Sequence, residues 1–252
     1  MDKKHTQRQP GALIYRRFAE IYDLTSKTLA EDTWHHGILE ACKSLRPSGA
    51  TALDLGCGTG IGGRLMSELN LTDIFGLDAS PEMLKLAIPY YSQVRCCDFR
   101  NLPMDLGEFD LIVSGFDTLN YLDESELGAV FHRCRRLLRN AESRLVFDYS
   151  SPTMLWDFWR DLTYDQDLGS GRSLRWKHSY RESEGTTTRI ALIDGNNEYW
   201  SESHVQYTML AAQVSLVALS AGLVPQTIRN LRSTDFSPEA HTHLFIFRPL
   251  IG

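Results

Sequence analysis

The sequence predicts an α/β fold: a doubly wound, seven-stranded and mostly parallel sheet that carries an inserted antiparallel sheet. The main sheet is predicted because short apolar segments alternate with helical patterns, which places parallel strands between two layers of helices. The apolar segments are residues 52–55, 73–78, 93–96, 109–114 and 144–149, and two further strands are predicted at 223–231 and 243–248. The insertion is predicted because polar and apolar or aromatic residues alternate between 152 and 209.

The first strand runs into a glycine-rich turn. Residues 51–63 read T-A-L-D-L-G-C-G-T-G-I-G-G. A strand that ends in Gly56-x-Gly58-x-Gly60 lets the backbone approach a ligand closely, because no Cβ intervenes. A helix is predicted to begin at Ile61, and its N-terminal amides favour a polar or anionic group. These features predict a nucleotide-like ligand at the turn.

The same turn fits a second register. Residues 58–63 also satisfy the G-x-G-x-x-G dinucleotide fingerprint. Two features disfavour that register: Gly56 already ends the strand, and Asp54 stands where a pyrophosphate-binding strand has apolar residues. A carboxylate at this position suits a cationic ligand. The alternative for Asp54 is a carboxylate that only orders the turn through backbone amides.

Asp78 closes the second strand. It follows the glycines by about twenty residues, where a carboxylate accepts hydrogen bonds from ribose hydroxyls. The alternative is that Asp78 caps the next helix. Ser80 and Pro81 already supply the N-cap and the first helical residue, and this favours the ribose interpretation.

The run from Asp54 to Gly60 resembles the first motif of class I S-adenosylmethionine-dependent methyltransferases, an acidic residue, a spacer and G-x-G-x-G. Three further segments resemble that family in the expected order: residues 74–84 its second strand and capped helix, 97–99 its adenine-side motif, and 109–114 its fourth strand. The resemblance covers most of the chain. It implies a Rossmann-like methyltransferase fold, with S-adenosylmethionine as cofactor and S-adenosylhomocysteine as product.

The resemblance also implies which residues bind the cofactor. They are Tyr22, Asp54, Gly56, Cys57, Gly58, Asp78, Ala79, Met83, Asp98, Phe99 and Ser114. Among them, Asp98 accepts a hydrogen bond from the adenine amino group, with Phe99 and Met83 near the ring. The alternative for Asp98 is an ordinary aspartate in a loop turn.

Two tyrosines near the N-terminus are predicted to line the methyl-transfer site. The segment from Tyr15 to Asp23 resembles a Y…FA..YD stretch of small-molecule N-methyltransferases, including glycine N-methyltransferase and enzymes that act on antibiotic amino sugars. Tyr15 and Tyr22 are expected on one face of a helix. A phenol oxygen and an aromatic face both stabilise a positive sulfonium. The alternative is a docked amphipathic helix with two half-buried tyrosines.

The segment after the fourth strand bears on the methyl acceptor. It has no N/D-P-P-Y/F motif, which argues against DNA bases and protein glutamine as substrates. It resembles instead the F-D-S/T-x-x-Y-L run of the amino-sugar enzymes. The resemblance implies that Phe116 walls the pocket and that Asn120 or Tyr121 faces the substrate, while a core position for Tyr121 stays open. The predicted catalytic set is therefore Tyr15, Tyr22, Phe116 and Asn120.

The chemistry of the acceptor separates two kinds of enzyme. An amine needs only to be neutral, so alignment can carry the reaction, whereas a hydroxyl requires a general base. Asp117, His178 and His204 are candidate bases, but none stands in a recognisable base constellation. The sequence therefore favours a methyltransferase for small-molecule amines, such as an amino sugar or antibiotic intermediate. An O-methyltransferase and a non-catalytic cofactor-binding protein are the alternatives.

The pattern divides the chain into three parts. Residues 1–48 are predicted to form a helical cap over the active site, and 49–151 with 209–252 the cofactor-binding core. Residues 152–208 form the insertion, which contains four of the five tryptophans. Its place beside the carboxyl edge of the sheet predicts a substrate lid. A dimerisation surface is the alternative, so a homo-oligomer is possible.

Composition narrows the partners. A net charge of −6 disfavours general nucleic-acid binding. No apolar run reaches the length of a membrane span, and the first residues lack the apolar segment of a signal peptide. Five cysteines without framework spacing favour a reduced, cytoplasmic setting. His241 and His243 lack a third ligand, so no metal site is predicted.

Overall fold

The chain forms two β-sheets with helices on both faces of the larger one. The structure is a computed structural model and describes residues 14–43, 49–69, 71, 73–182 and 184–250. The strands are β1 Thr51–Leu55, β2 Asp73–Asp78, β3 Gln93–Cys96, β4 Leu111–Ser114, β5 Arg144–Ser150, β6 Thr163–Gly169, β7 Arg172–Arg181, β8 Gly185–Asp194, β9 Asn197–Gln206, β10 Leu223–Asn230 and β11 Thr242–Pro249. The helices are α1 Ala19–Thr33, α2 Glu40–Lys43, α3 Ile61–Ser67, α4 Pro81–Ala87, α5 Glu124–Leu137, α6 Pro152–Met154 and α7 Ala211–Ser220.

The larger sheet has the strand order β10-β11-β5-β4-β1-β2-β3. Its strands are parallel except for β11, which pairs antiparallel with β5 and β10. The order reverses between β1 and β4, and such a switch point opens a crevice at the carboxyl ends of the strands. The predicted seven-stranded, mostly parallel sheet is confirmed.

Burial on both faces explains why the central strands are apolar. Every residue of β4 and β5 is buried, as expected for strands covered by helices on each side. One face packs against α5 and α7 through Phe131, Val214 and Phe147. The other packs against α3 and the π-helical turn Trp34–Leu39 through Leu65, Met66 and Ile38.

Helix α5 shows how local signals set its limits. Asp123 accepts a hydrogen bond from the Glu126 amide (2.9 Å), and the Glu126 carboxylate accepts one from the Asp123 amide (3.1 Å). This capping box starts the helix. The helix ends at Leu137, because Leu138 is extended and bridges Phe109. The predicted strand at 109–114 is shortened to β4 for the same reason.

The smaller sheet has the order β6-β7-β8-β9 and is antiparallel throughout. The alternation of polar and apolar residues that predicted this sheet lies in β7, β8 and β9. The sequence prediction missed β6, because its residues are mostly polar and exposed and show no alternation. Leu174, Ile190 and Leu192 form the apolar face of this sheet and pack against Phe18, next to α1.

The N-terminal cap is only partly described. Residues 1–13 and 44–48 of the predicted segment 1–48 lie outside the described residues. No helix among those the structure describes is long and apolar enough to cross a membrane. All five cysteines are free thiols, and the cytoplasmic setting stays a prediction.

Two glycine-to-alanine substitutions are expected to change stability in opposite directions. Gly128 lies inside α5, where an added Cβ would meet Val217 at an ordinary 3.5 Å, so Gly128→Ala should raise the free energy of unfolding by about 0.5–1 kcal/mol. Gly222 has φ +79° beyond the end of α7, so Gly222→Ala should lower it by about 1–2 kcal/mol. Urea denaturation measures both, and equal effects would contradict the assignment.

Candidate active site

Two adjacent cavities lie at the switch point of the larger sheet. The inner cavity is bounded by the glycine turn and the ends of β1 and β2. The outer cavity lies between α1 and the smaller sheet. Tyr15, Tyr22, Phe116 and Tyr121 line both cavities and therefore mark their junction. The inner cavity contains most of the predicted cofactor residues, namely Tyr22, Asp54, Gly56, Cys57, Gly58, Asp78, Ala79, Met83, Asp98 and Phe99.

The three glycines of the turn have different functions. All have positive φ: +73° at Gly56, +54° at Gly58 and +96° at Gly60. A Cβ at Gly56 would lie 2.3 Å from Thr118, and one at Gly60 would lie 2.6 Å from Tyr90. A Cβ at Gly58 would meet no protein atom within 4 Å. Gly56 and Gly60 are therefore required by neighbouring protein atoms, whereas Gly58 leaves room for a ligand in the inner cavity.

Asp78 organises the glycine turn. Its carboxylate accepts hydrogen bonds from the backbone amides of Gly58 (2.9 Å) and Ser80 (2.8 Å). Ser80 caps α4 by accepting from the Met83 amide (3.2 Å), so the capping function considered for Asp78 belongs to Ser80. Burial raises the pKa of Asp78, and the hydrogen bonds from the Ser80 and Gly58 amides oppose that rise.

Asp54 is a buried carboxylate with one free oxygen. Its side chain accepts a hydrogen bond from the Tyr91 hydroxyl (2.6 Å), and that hydroxyl accepts one from the Gly63 amide (2.9 Å). The other oxygen, Oδ1, is buried and has no partner among the described residues. Burial raises the pKa of Asp54 to about 7. Asp54 thus contacts the turn through Tyr91, and its free oxygen fits a cationic group in the inner cavity.

Asp98 combines the two interpretations made from the sequence. It caps the 3₁₀ turn Phe99–Asn101 by accepting from the Arg100 amide (2.9 Å), and it forms an ion pair with the Arg100 guanidinium (3.0 Å). It also lines the inner cavity, next to the buried side chains of Phe99 and Met83. The Asp98 carboxylate could accept a hydrogen bond from an adenine amino group, and Phe99 and Met83 could pack against the adenine ring.

Two predicted site residues lie elsewhere. Ser114 is buried and donates to the Leu55 carbonyl (2.9 Å), so it joins β4 to β1 and lines neither cavity. The Asn120 amide group donates to the carbonyls of Ser150 (3.0 Å) and Tyr207 (2.7 Å), while its oxygen accepts from the Ser150 amide (3.0 Å). Asn120 therefore joins the backbone at Ser150 to the backbone at Tyr207, and Tyr121 lines the cavities instead.

The predicted placement of Tyr15 on a helix is wrong. Tyr15 precedes α1 and has φ +60°, a conformation that a bulky side chain rarely adopts. Its carbonyl accepts from the Ser80 hydroxyl (3.3 Å), which ties the segment to the core. The rings of Tyr15 and Tyr22 nevertheless meet edge to face, with centroids 5.8 Å apart.

A hydrogen-bonded chain leads from Tyr15 into the smaller sheet. The hydroxyls of Tyr15 and Tyr121 are 2.7 Å apart, and the Tyr121 hydroxyl is 2.9 Å from Nδ1 of His204. Burial lowers the pKa of His204 to about 4, so the ring is neutral near pH 7. Nδ1 of His178 lies 2.8 Å from the Thr188 hydroxyl. Both histidines line the outer cavity.

Two neighbouring residues that line the outer cavity have a strained backbone. Phe116 and Asp117 are consecutive residues with φ +59°, and such strain clusters at functional sites. The Asp117 amide donates to Asp148 (3.2 Å), and its carboxylate accepts from the Ser150 hydroxyl. Burial raises the pKa of Asp117 to about 6. Burial and the nearby Asp117 charge raise the pKa of the buried Asp148 carboxyl.

Sequence reasoning missed several residues of the inner cavity. Trp34 and Arg100 belong to no motif, and only the fold brings them to the inner cavity. Trp34 packs so closely that a Cβ on Gly62 or Gly115 would lie under 3 Å from its ring. The arrangement of His204 with Tyr121 was also missed, since the two are 83 residues apart.

Comparison with known proteins identifies the core of the chain. Residues 52–141 match the family of methyltransferase domains. The chain contains a methyltransferase domain. This confirms the resemblance to S-adenosylmethionine-dependent methyltransferases that the sequence predicted, and with it S-adenosylmethionine as the cofactor. No protein of curated function matches the chain.

Several solved structures share the fold of nearly the whole chain. An S-adenosylmethionine-dependent methyltransferase from Clostridium acetobutylicum is 20% identical, with a TM-score of 0.78 over 93% of this chain and 98% of that one. The S-adenosylmethionine-bound amino pentose methyltransferase CalS10 from Micromonospora echinaspora is 18% identical (TM-score 0.69; 94% and 98% covered). The sugar N-methyltransferase KedS8 from a Streptoalloteichus species is 20% identical (TM-score 0.69; 93% of each chain covered). At these identities the likeness establishes the fold.

Removing the Asp78 carboxylate should weaken cofactor binding. Asp78→Ala removes the acceptor that orders Gly58 and leaves its amide unpaired, so the dissociation constant of S-adenosylhomocysteine should rise by about 5–150-fold, equivalent to 1–3 kcal/mol. Titration calorimetry measures this change. Asp73→Ala, at the exposed start of the same strand, is the matched control and should bind normally. Unchanged affinity in Asp78→Ala would contradict the assignment.

Cofactor affinity should depend on pH through Asp54. A cationic ligand group requires the ionised carboxylate, whose pKa in the free protein is about 7. The association constant of S-adenosylhomocysteine should therefore fall by up to about tenfold for each pH unit below that value. Asp54→Asn should bind more weakly and lose this slope. A slope that persists in Asp54→Asn would assign the proton to another group.

Proposed function

We propose that the chain is an N-methyltransferase that uses S-adenosylmethionine to methylate the amine nitrogen of a small molecule. The observation that carries the proposal is the aromatic junction between the two cavities, at Tyr15, Tyr22, Phe116 and Tyr121. The inner cavity has the residues expected for the cofactor, and the outer cavity is large enough to admit a second molecule. An amino sugar or an antibiotic intermediate is the proposed class of acceptor, as the printed names of CalS10 and KedS8 suggest.

The residues of the inner cavity fit the proposed donor. Bound S-adenosylmethionine supplies an electrophilic methyl group attached to a sulfonium. The free oxygen of Asp54 fits its ammonium group, and the Asp78 carboxylate, which lines the same cavity, can accept from ribose hydroxyls. The phenol oxygens and ring faces of Tyr15 and Tyr22 stabilise positive charge without requiring a proton. Together these residues would hold the cofactor with its positive charge next to the aromatic side chains of Tyr15 and Tyr22.

Transfer to an amine requires alignment more than acid–base chemistry. The nitrogen lone pair would attack the methyl carbon from the side opposite sulfur as the carbon–sulfur bond breaks. The electron pair of the broken bond would stay on sulfur. Holding the reactants in this geometry can contribute several kcal/mol. The aromatic side chains that line the outer cavity, including Trp159, Tyr164 and Trp176, offer flat apolar surfaces against which a small molecule can pack. His204 is a poor general base because its pKa is about 4, which supports an acceptor that needs no base.

The second candidate is an O-methyltransferase. It is favoured by Asp117, which lines the outer cavity and has a pKa of about 6, within the range of a useful base. His178 lines the same cavity. These two groups are the candidate bases for a hydroxyl acceptor.

The insertion is proposed to act as a substrate lid. Residues of β7, β8 and β9, among them Trp176, Ile190 and Gln206, line the outer cavity. This supports a lid function for the insertion rather than a function in dimerisation alone. We also propose that the substrate is a small molecule and not a nucleic acid or a membrane. Assembly into a homo-oligomer is a further proposal.

Matched acceptors test the function directly. The protein is incubated with S-adenosylmethionine and pairs of compounds that differ only by an amine or a hydroxyl at one position. Mass spectrometry should detect a methyl group on the amine member of a pair. Methylation of hydroxyl members only would support the second candidate. Calorimetric binding of NADH instead of S-adenosylhomocysteine would show that the glycine turn follows the dinucleotide register.

Substitution of the candidate bases should leave amine methylation largely intact. His178→Gln and Asp117→Asn should keep kcat within about threefold, whereas loss of a general base costs about 10²–10⁴-fold. Steady-state kinetics measure kcat, and S-adenosylhomocysteine affinity controls for the cofactor site. A loss of the larger size with normal cofactor binding would contradict the base-free mechanism.

A further inference from the structure

The hydrogen-bonded chain at the cavity junction continues to a second acidic group. Tyr15, Tyr121 and His204 are linked by contacts of 2.7 and 2.9 Å. On its other side, Nε2 of His204 lies 3.8 Å from Oε2 of Glu202. Three separate parts of the chain contribute: the segment before α1, the turn after β4 and strand β9. The smaller sheet thereby reaches the transfer site through specific polar atoms.

Glu202 is held in place by backbone amides. Its Oε1 accepts hydrogen bonds from the amides of Arg17 and Phe18, the latter at 3.3 Å. Its Oε2 and Nε2 of His204 are both buried and have no hydrogen-bond partner among the described residues. Glu202 thus fixes the segment that carries Tyr15 and also faces the histidine ring.

This geometry decides which nitrogen of His204 carries the proton. A proton on Nε2 points toward the Glu202 oxygen and is attracted to it. A proton on Nδ1 would instead direct the lone pair of Nε2 at the lone pairs of that oxygen, which is repulsive. The neutral ring therefore carries its proton on Nε2, and Nδ1 is an acceptor.

The direction of the whole chain follows from that tautomer. Since Nδ1 of His204 only accepts, the Tyr121 hydroxyl must donate to it. A phenol has a single hydrogen, so the 2.7 Å contact with Tyr15 requires Tyr15 to be the donor. The Tyr15 oxygen then presents only lone pairs to the cavities that it lines.

We propose that Glu202 and His204 are positioning residues that make Tyr15 a hydrogen-bond acceptor for an N–H of the methyl acceptor. This inference rests on the proposed N-methyltransferase function and narrows its substrate class. An amine that donates one N–H to Tyr15 has its lone pair directed away from that oxygen, free to attack the methyl group. The site therefore selects primary and secondary amines and does not convert tertiary amines to quaternary ones.

The chain fixes direction and does not store the proton that the product releases. A methylated alkylammonium has a pKa near 10, far above that of His204, which burial lowers to about 4, so its proton does not rest on the ring. Burial also raises the pKa of Tyr15, which stays a neutral phenol. The released proton passes to solvent.

Glu202→Gln is the variant that tests the direction. The glutamine oxygen must still accept from the amides of Arg17 and Phe18, so its NH₂ group faces Nε2 of His204. That nitrogen then becomes an acceptor and the proton moves to Nδ1. Tyr121 in turn donates to Tyr15, and the Tyr15 hydroxyl becomes a donor into the cavity.

NMR of the ¹⁵N-histidine-labelled full-length protein measures the tautomer without any substrate. The His204 signals are identified by their loss in His204→Phe. We expect the proton on Nε2 in the wild type and on Nδ1 in Glu202→Gln. A wild-type proton on Nδ1, a charged ring, or no change in Glu202→Gln would overturn the proposed direction.

Kinetics with amine acceptors measure the consequence. Glu202→Gln and Tyr121→Phe should each lower kcat/KM for the amine by about 10–100-fold, as expected for one lost hydrogen bond, with unchanged affinity for S-adenosylhomocysteine. The double variant should be no worse than Tyr121→Phe, because the chain is already broken. Glu198→Gln, the same change at an exposed site on β9, is the matched control and should have no effect.

The outcomes separate this inference from the proposed function. Additive effects in the double variant, or methylation of a tertiary amine as readily as of its secondary counterpart, would overturn the positioning by Glu202 and His204. If the tautomer is as expected but no amine is methylated, the proposed function and the amine selectivity both fail, while the hydrogen-bond direction stands.

Discussion

The left-handed glycine turn after β1 is the constraint on which the site depends. The amides of Gly56 and Cys57 donate to the Leu77 carbonyl (2.7 and 3.0 Å), and the Gly58 amide donates to Asp78. These bonds tie the end of β1 to the end of β2 and aim the chain into α3. Because each of the three glycines has positive φ, a residue with a Cβ would strain the turn at these positions. The inner cavity is the space that this turn leaves open.

The rest of the site is assembled around the turn from distant segments. Ser80 at the start of α4 holds the Tyr15 carbonyl, and Glu202 on β9 holds the neighbouring amides. The Tyr15 segment is therefore bound on one side by the core and on the other by the smaller sheet. A site divided in this way exists only in the folded chain, and its geometry depends on how the two sheets meet.

Buried acidic groups make the site sensitive to ligand charge. Asp54 and Asp117 have pKa values raised by burial to about 7 and about 6. An acid whose pKa is higher in the folded state binds its proton more tightly there, so each group lowers the free energy of unfolding as pH rises from about 4 to its raised value. A cationic ligand beside the carboxylate offsets this cost. These two groups therefore make the ligand-free fold less stable near neutral pH than at mildly acidic pH.

The sequence by itself determined the elements whose signals are local. The glycine turn, the Ser80 cap and the strands of the larger sheet follow from apolar runs, capping residues and glycines, which act within a few neighbouring residues. Only the tertiary structure decided that Tyr121 rather than Asn120 faces the cavities, because the Asn120 amide satisfies backbone groups of Ser150 and Tyr207. It also decided the position of Tyr15 before α1, the polar edge strand β6 and the approach of His204 to Tyr121. These features arise from hydrogen bonds and packing between residues far apart in the chain, where no local periodicity or spacing records the contact.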